Sequence, residues 1–170
     1  MNKISHFQGE TFSHQKISGT DFTNIDLKFS SFNHCQFFSC NFSQANFNAT
    51  LFSDSHFTDS CFSGVDFSAL NLKKCIFTNT LINLATFQQI KNNFGHELIK
   101  FSLNKIIFEN CDLTESLFHF CQLVESKFIN CNLYQTVFKK SDLTKADLSG
   151  SQLQGTIFSE SILHQTKLDL

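Results

Sequence analysis

The chain has 170 residues, a formal net charge of −2 and no Pro or Trp, while 23 residues are Phe and seven are Cys. This length fits one domain. All 13 basic residues are Lys. A near-neutral chain without Arg lacks the positive field and the two-pronged phosphate and guanine contacts of nucleic acid binding proteins, so no direct nucleic acid binding is predicted.

The N-terminal residues 1–6 include one Lys and no apolar run. A signal peptide needs such a run, and a membrane span needs about 20 consecutive apolar residues. We therefore expect a cytoplasmic protein with no membrane segment.

Large apolar residues occupy every fifth position from residue 7 to residue 87. In an α-helix five steps turn a side chain by about 140°, and in a flat strand an odd spacing alternates faces, so this period fits neither element. It predicts a repeat architecture that changes direction every five residues and points the same position inward. The most regular of these core centres, with two from the second half of the chain, are Phe32, Phe37, Phe42, Phe47, Phe52, Phe57, Phe62, Phe67, Phe118 and Phe138.

A small residue stands two positions before most centres, which indicates a second inward position sized to fill a narrow interior. Six of the seven Cys occupy it, and there we expect them to act as small apolar residues interchangeable with Ala and Ser. Cys61 falls in an outward phase and is predicted to be the reactive thiol. Cys spacings of five and ten do not match zinc motifs, so no metal or other cofactor is predicted. The six inward Cys are Cys35, Cys40, Cys75, Cys111, Cys121 and Cys131.

Two kinds of polar position recur in the first half of the chain. Asp or Asn often directly precedes a centre, as at Asp21 and Asn41, and such a side chain can accept a hydrogen bond from the turn backbone. His14, His34 and Asp54 lie twenty residues apart in one outward phase. They are predicted to form a solvated polar ladder, with a surface metal site as the alternative.

Residues 90–105 interrupt the repeat, which divides the single domain into a first stack (5–89), an insertion (90–105) and a second stack (106–170). Apolar residues at helical spacing favour a helix in the insertion, but Gly95 weakens it, so a loop with one helical turn is equally consistent. Insertions of this length are often functional. The predicted partner-binding residues here are Ile90, Phe94, His96, Glu97 and Phe101.

The second stack resumes one residue out of phase and contains outward apolar residues at Leu117, Val137 and Ile157. Their spacing of twenty predicts four repeats per coil, with successive coils about 4.8 Å apart. A contiguous apolar ladder suggests a protein partner, a dimer, or docking of the insertion.

The last coil is predicted to leave core side chains and strand edges open. A two-fold pairing of these ends would cover them, so we expect a homodimer. The residues assigned to this dimer end are Leu163, Leu168 and Leu170.

The motifs CNFSQ-ANFNA, CDLTE-SLFHF and SDLTK-ADLSG-SQLQG resemble the pentapeptide-repeat family, whose pattern is a small residue, then Asp or Asn, then Leu or Phe, then two free positions. The resemblance covers nearly the whole chain. It implies an all-β fold, a right-handed quadrilateral β-helix of about 20 residues per coil.

Within that family the chain is similar to the quinolone-resistance (Qnr-type) group, in its Phe-rich centres, in the phrases FENCDL and FINCNL, and in one insertion between coil stacks. This similarity implies a dimeric, DNA-mimicking rod that binds DNA gyrase or topoisomerase IV and protects it from poisons. By position, the insertion would correspond to the projecting loops of that group.

The alternative is a generic interaction scaffold or a structural rod with an unrelated partner, because one fold hosts many functions. Acidic residues clustered on one face would favour mimicry, and acids mixed evenly with Lys would favour a scaffold. No nucleophile–base set and no phosphate loop occurs in the sequence, so an enzyme is not predicted.

Overall fold

A computed structural model describes residues 7–68, 70–88 and 101–168 of the chain. Within these ranges the secondary structure consists of short β-strands, and no helix has the length and apolarity needed to cross a membrane. The strands are β1 (Thr11–Ser13), β2 (Lys16–Ser18), β3 (Ser31–Asn33), β4 (Gln36–Phe38), β5 (Leu51–Ser53), β6 (His56–Thr58), β7 (Asn71–Lys73), β8 (Ile76–Thr78), β9 (Thr86–Gln88), β10 (Phe101–Ser102), β11 (Ile107–Glu109), β12 (Leu117–His119), β13 (Cys121–Gln122), β14 (Lys127–Ile129) and β15 (Val137–Lys139).

The strands pair in parallel with the strand one coil later, and four such columns form the sides of a rod. The partners Phe12, Phe32 and Phe52 show the step of twenty within the first stack, which confirms the predicted coil length. Side A contains the sheet β1, β3, β5 and β7 and, in the coils after the insertion, the separate pair β10 and β13. Side B contains β2, β4, β6, β8, β11 and β14, and side D contains β9, β12 and β15. Side C is joined by single bridges, such as Asn41 with Cys61 and Cys61 with Leu81.

Left-handed backbone at every fifth residue turns the chain from one side to the next. The four corners of one coil are at Asn24, Phe29, His34 and Ser39, whose φ angles are 60°, 59°, 52° and 50°. Such φ values are uncommon outside Gly, Asn and Asp, so the regular stacking of neighbouring coils maintains them. Each repeat therefore consists of an outward residue, an inward centre, a second outward residue, a corner, and an inward small residue.

The centres fill the rod with two kinds of aromatic contact. Phe32 stacks on its equivalent Phe52 in the next coil, with ring centroids 4.9 Å apart and planes at 13°. Within its own coil it meets Phe37 edge to face, with centroids 5.5 Å apart and planes at 71°. All ten predicted core centres are buried. Offset stacking and edge-to-face packing are both favourable for aromatic rings, so each ring is held by neighbours above, below and beside it.

Hydroxyl and thiol groups at the small position join each coil to the one before it. The Ser141 Oγ donates to the carbonyl oxygen of Phe118 at 3.2 Å and accepts from the backbone N–H of Cys121 at 3.1 Å. The Cys131 thiol likewise donates to the Phe108 carbonyl at 3.4 Å. The inward Cys are therefore hydrogen-bond donors as well as small apolar residues, and they make the same inter-coil bond as Ser at this position. Burial raises the pKa of the Cys121 thiol to about 12, so it stays protonated at neutral pH.

Replacing Ser141 by Ala is expected to lower the free energy of unfolding by about 1–3 kcal/mol, because it leaves a buried N–H and a buried carbonyl without this partner. Ser126 is the matched control, since its side chain occupies the same inward position and its buried Oγ has no hydrogen-bond partner among the described residues. The Ser126→Ala variant should be nearly neutral. Urea unfolding of both variants measures the difference, and equal losses would show that the inter-coil bond contributes little.

The position of the insertion follows from a change in strand register. Ile76 pairs with Ile107, and Thr86 pairs with Leu117, so the step from one coil to the next is longer here than within either stack. The step is 31 across the insertion and 20 elsewhere. The excess equals the length of the segment 90–100, which enters between side D, where β9 ends the coil, and side A, where β10 resumes it.

The predicted end of the insertion at residue 105 is wrong. Phe101 already pairs with Cys121 in side A, and both Leu103 and Ile106 are buried in the core. Leu103 is thus a core centre and the second stack begins at residue 101. The repeat centred on Leu103 is not recognisable in the sequence, because Phe101 stands at the position where a small residue is expected.

Candidate partner-binding surfaces

The rod has four edges, each formed by a column of corner residues and the outward residues on either side of it. Edge AB, for example, contains Lys73, the corner residue Lys74 and Ile76 in one coil, and the same three positions of the other coils lie above and below them. Edges BC, CD and DA are defined in the same way. These edges carry the side chains that a partner would contact.

Charge is distributed unevenly around the rod. Among the described residues, edges BC and CD contain no Lys. We call these two edges, which border side C, the acidic half. Its carboxylates are Asp21, Asp59, Glu109 and Asp112 on edge BC and Asp26, Asp66 and Glu115 on edge CD.

The opposite half, edges AB and DA, contains every described Lys. Its acidic residues are Asp54, Glu125, Asp142, Asp147 and Glu160, together with Glu10, an exposed residue at a small position beside edge DA. These six carboxylates offset only part of the positive charge of ten Lys. The Lys residues are Lys16, Lys73, Lys74, Lys105, Lys127, Lys145 and Lys167 on edge AB and Lys28, Lys139 and Lys140 on edge DA.

The formal net charge of −2 therefore conceals a separation of charge across the rod. Ion pairs in the described ranges all use a Lys of the opposite half, and one of them, Lys28 Nζ with Asp26 Oδ2 at 3.9 Å, reaches across side D to the acidic half. Neither expected extreme, all acids on one face or an even mixture, describes this surface. About half of the described acids lie on edges that contain no described Lys, although one of them, Asp26, pairs with Lys28 from edge DA.

Hydrogen bonds from the turn backbone orient four of the seven carboxylates of the acidic half, those of Asp21, Asp26, Asp66 and Asp112. The Asp21 Oδ1 accepts from the backbone N–H of Thr23 at 3.0 Å and from its hydroxyl at 2.5 Å. The Asp112 Oδ1 accepts in the same way from the N–H of Thr114 at 3.0 Å. The bond from the Thr23 hydroxyl lowers the pKa of Asp21 below its usual value, which keeps this carboxylate ionised. The predicted bond between a residue before the centre and the turn is thus confirmed.

An apolar strip occupies the C-terminal part of edge CD. The three predicted outward apolar residues are brought together there, since Leu117 pairs with Val137 and Val137 bridges to Ile157. Ile157 is 51% exposed, and Leu84 and the 44% exposed Tyr134 lie on the same edge. Edge CD is thus acidic toward its N-terminal end and apolar toward its C-terminal end.

The predicted partner-binding residues of the insertion are divided between two regions. Ile90, Phe94, His96 and Glu97 lie outside the described residues, whereas Phe101 begins β10 on side A. The described residues on either side of the insertion, Gln88 of β9 and Phe101 of β10, belong to sides D and A, which meet at edge DA.

Edge DA near the insertion contains a cluster of aromatic and charged groups. The Lys140 Nζ lies 5.4 Å from the centroid of the Phe120 ring and 3.7 Å from the Glu160 carboxylate. Partial burial and the nearby positive charges of Lys139 and Lys140 lower the pKa of His119. At neutral pH this cluster therefore carries Lys charges beside a largely neutral imidazole.

The predicted dimer end exposes part of the core. Leu163 is 37% exposed and Leu168 is half-buried, while the centres one coil earlier, Leu143 and Leu148, are fully buried. Leu170 lies outside the described residues. The last described coil thus presents an apolar surface at this end of the rod.

The other predicted polar sites have local roles. The His14 and His34 rings stack with centroids 5.0 Å apart and planes at 3°. Asp54, next in that column, accepts a hydrogen bond from Ser53, which is the main cause of its lowered pKa. No group of three metal-ligating residues is found among the described residues. The Cys61 sulfur is half-buried and lies 3.2 Å from the Ser43 hydroxyl.

The charge separation was not predicted from the sequence, although the spacing of the charged residues contains the information. Residues twenty apart share an edge, but the two halves of the chain align only when the later numbers are reduced by eleven. Without the register of β11 on β8, the acids before and after the insertion cannot be assigned to the same edge.

Two family models match the chain. One is described as a pentapeptide repeat region and matches residues 101–170, and the other is described as pentapeptide repeats in 8 copies and matches residues 7–44 and 40–79. No curated protein shows a significant match.

Several solved structures are similar. Full-length QnrB1, a plasmid-mediated fluoroquinolone resistance protein, is 21% identical over 96% of this chain and 80% of its own, with a TM-score of 0.81. HetL, a pentapeptide repeat protein involved in heterocyst differentiation regulation from the cyanobacterium Nostoc, is 14% identical over 94% and 89%, with a TM-score of 0.32. A pentapeptide repeat protein from the thylakoid lumen of Arabidopsis thaliana is 21% identical over 66% and 68%, with a TM-score of 0.45.

Proposed function

This chain belongs to the pentapeptide-repeat family, and from that premise we propose that it acts without catalysis, as a rod that binds a protein partner through its acidic half. The partner we propose is a type II topoisomerase, either DNA gyrase or topoisomerase IV, which the rod protects from quinolone-like poisons. The fold likeness to a fluoroquinolone resistance protein suggests this enzyme class as the first to test.

The acidic half is the observation that supports the proposal. A topoisomerase surface that binds duplex DNA must be positively charged, because it contacts phosphates. A protein edge with ordered carboxylates and no Lys is complementary to such a surface, and complementary charge accelerates association and excludes wrong partners. The charge separation matters here because the net charge of the whole chain would not provide this attraction.

The apolar strip supplies the second part of the proposed interface. Tyr134, Val137 and Ile157 lie on edge CD with Glu115, so apolar and acidic groups are available to one partner surface. Interfaces concentrate their binding energy in a few aromatic and apolar residues surrounded by polar groups. We place the main contact on the C-terminal part of edge CD, where these four residues lie.

The proposed active form is a homodimer joined through the apolar end at Leu163 and Leu168. Pairing of two such ends would remove the partly exposed core from water and give a longer rod. The insertion is the second candidate contact with the enzyme, and its predicted residues Ile90, Phe94, His96 and Glu97 retain that role as a proposal.

A supercoiling assay with DNA gyrase and a fluoroquinolone tests the proposal. The intact protein should restore supercoiling in the presence of the drug. The double variant Asp59→Lys with Asp112→Lys should weaken this protection by about tenfold or more, because it places positive charge against a positive surface.

The matched control is Asp54→Lys with Asp142→Lys on the opposite half. Asp54 and Asp59 are both corner residues that accept one side-chain hydrogen bond, and Asp112 and Asp142 make the same turn hydrogen bond, so the two variants make the same charge change at matching backbone positions. The control should protect to within about threefold of the intact protein. Light scattering on the same samples checks the dimer. No protection by the intact protein at micromolar concentration would remove the topoisomerase proposal and favour a scaffold with another partner.

A further inference from the structure

Edge AB carries seven of the described Lys residues in three adjacent columns, six of them in the coils from Lys73 onward and Lys16 three coils before these. The edge also contains three carboxylates, from Asp54, Glu125 and Asp147, so its formal charge is strongly positive. We call it the lysine edge. All seven Lys are exposed, and they are Lys16, Lys73, Lys74, Lys105, Lys127, Lys145 and Lys167.

Most of this positive charge is available to a ligand. Lys105 pairs with Glu125 at 3.3 Å, and Lys167 pairs with Asp147 at 3.8 Å. The other five form no ion pair with a described residue, although Lys74 and Lys73 help to lower the pKa of Asp54. Lys74 and Lys105 are neighbours in one corner column, because the step across the insertion is 31. Their backbones are therefore about 4.8 Å apart.

We propose that the lysine edge binds the phosphate backbone of duplex DNA. Lys binds phosphate as a flexible point charge, and a band of such charges along one edge can contact several phosphates of a duplex. Arg is absent from the chain, so bidentate reading of guanine is not available and the binding is independent of sequence. The expectation that this protein would not bind nucleic acid rested on net charge, which averages two different halves, and on the absence of Arg, which does not prevent Lys from binding phosphate.

A linear polyanion fits this edge better than an anionic membrane does. Proteins that lie on membranes insert apolar side chains beside their basic residues. The large exposed hydrophobic residues of the described chain, among them Phe29, Phe38, Leu84 and Ile157, lie on the other three edges or at the end of the rod. The described part of the lysine edge therefore has charge to attract phosphate but no large exposed apolar group to enter a bilayer.

This inference does not depend on the proposed function, because edge AB lies diagonally opposite edge CD. Binding of DNA by edge AB would leave the acidic half free for a protein. If both are correct, one rod joins a DNA-binding enzyme to a DNA segment through opposite surfaces.

Fluorescence anisotropy with a labelled duplex of about 20 base pairs tests the inference on the full chain, since affinity should fall steeply with salt for a phosphate contact. The triple variant Lys74→Gln, Lys127→Gln and Lys145→Gln should weaken binding by about tenfold or more at low salt. It should also reduce the slope of log K against log salt by about three, one for each lost contact.

The control triple variant, Lys28→Gln, Lys139→Gln and Lys140→Gln, removes the same charge from edge DA. It should weaken binding by no more than about threefold, because its residues do not contact the DNA. Equal losses in the two triples would mean that total charge alone drives binding, and would overturn the inference. So would an absence of DNA binding at low salt, or stronger binding to phosphatidylserine vesicles that the first triple abolishes.

Thermal unfolding of each variant checks that loss of binding is not loss of fold. Should the corner substitutions at Lys74 and Lys145 destabilise the rod, the variant Lys73→Gln, Lys127→Gln and Lys167→Gln avoids left-handed positions on the same edge. It is expected to lose DNA binding in the same way, and unchanged affinity in that variant would also overturn the inference.

Discussion

Replacing Phe52 by Ala is expected to lower the free energy of unfolding by about 3–5 kcal/mol, because the surrounding rings cannot close the cavity. The Phe52 side chain is 0% exposed. It stacks on Phe32 at 4.9 Å and meets Phe57 edge to face at 5.1 Å. Those rings are held by their own stacking partners in neighbouring coils, so they cannot shift to fill the space without breaking further contacts.

Urea or thermal unfolding measures this effect, and two further variants calibrate it. Phe29→Ala is the exposed control, since Phe29 is 62% exposed at a corner, and it should change stability by no more than about 0.5 kcal/mol. Phe52→Leu should cost about 1.5 kcal/mol or less, because Leu72 occupies the equivalent position one coil later and a Leu fits the column there. A Phe52→Ala protein as stable as the Phe29→Ala protein would refute the stacked core.

Two deletions of the insertion are expected to differ in their effect on partner binding. Removing residues 90–100 reduces the step across the insertion from 31 to 20, which is the step within a stack, so each side of the second stack continues the same side of the first. Removing residues 90–105 also preserves the period of five, but it reduces the step to fifteen. The second stack then advances by one side, and residues of side B follow side A.

The surface consequences of the two deletions differ although both lack the insertion. In the first, Asp59 and Asp112 remain on one edge and the acidic half stays continuous. In the second, Asp112 moves by a quarter turn and Lys residues of the second stack enter the acidic half of the first. We therefore expect the 90–100 deletion, which loses only the second contact, to bind gyrase to within about threefold of the intact protein, and the 90–105 deletion to bind at least about tenfold more weakly.

Direct binding measurements on immobilised gyrase, with thermal unfolding of both deletions, distinguish the possible outcomes. Loss of binding in both, with the fold retained, would assign the contact to the insertion residues Ile90, Phe94, His96 and Glu97 and contradict the acidic half. Normal binding in both would show that continuity of the acidic half is not required. Only the contrast between them supports the proposed interface.

The fold was predictable because each centre repeats a local requirement. A large apolar residue such as Phe52 must face inward once per side, and the spacing of twenty between Leu117, Val137 and Ile157 gives four sides per coil. The contacts that join the coils were less accessible from the sequence. The Cys131 thiol donates a hydrogen bond only because the Phe108 carbonyl, 23 residues earlier, lies next to it. That proximity follows from the coil geometry and is not visible in the linear sequence.

The surface was predicted less completely than the core, for a physical reason. The core selects residues by size at each position, whereas the edges are defined by alignment between distant coils. Because the large residue Phe101 occupies a small position, one repeat was not recognised, and the insertion was predicted to end at residue 105 instead of residue 100. Without the correct step of 31, neither the acidic half nor the lysine edge could be assembled from the linear order of charges.

The constant step of twenty within each stack makes the length of this molecule adjustable separately from its surfaces. A tandem duplication of one whole coil would extend every edge by about 4.8 Å. Acidic, apolar and basic groups would stay on their own sides, since each new residue would fall on the column of its parent. The length of rod that can contact a partner can thus change by whole coils during evolution. The choice of partner can change separately, by single substitutions at the edges.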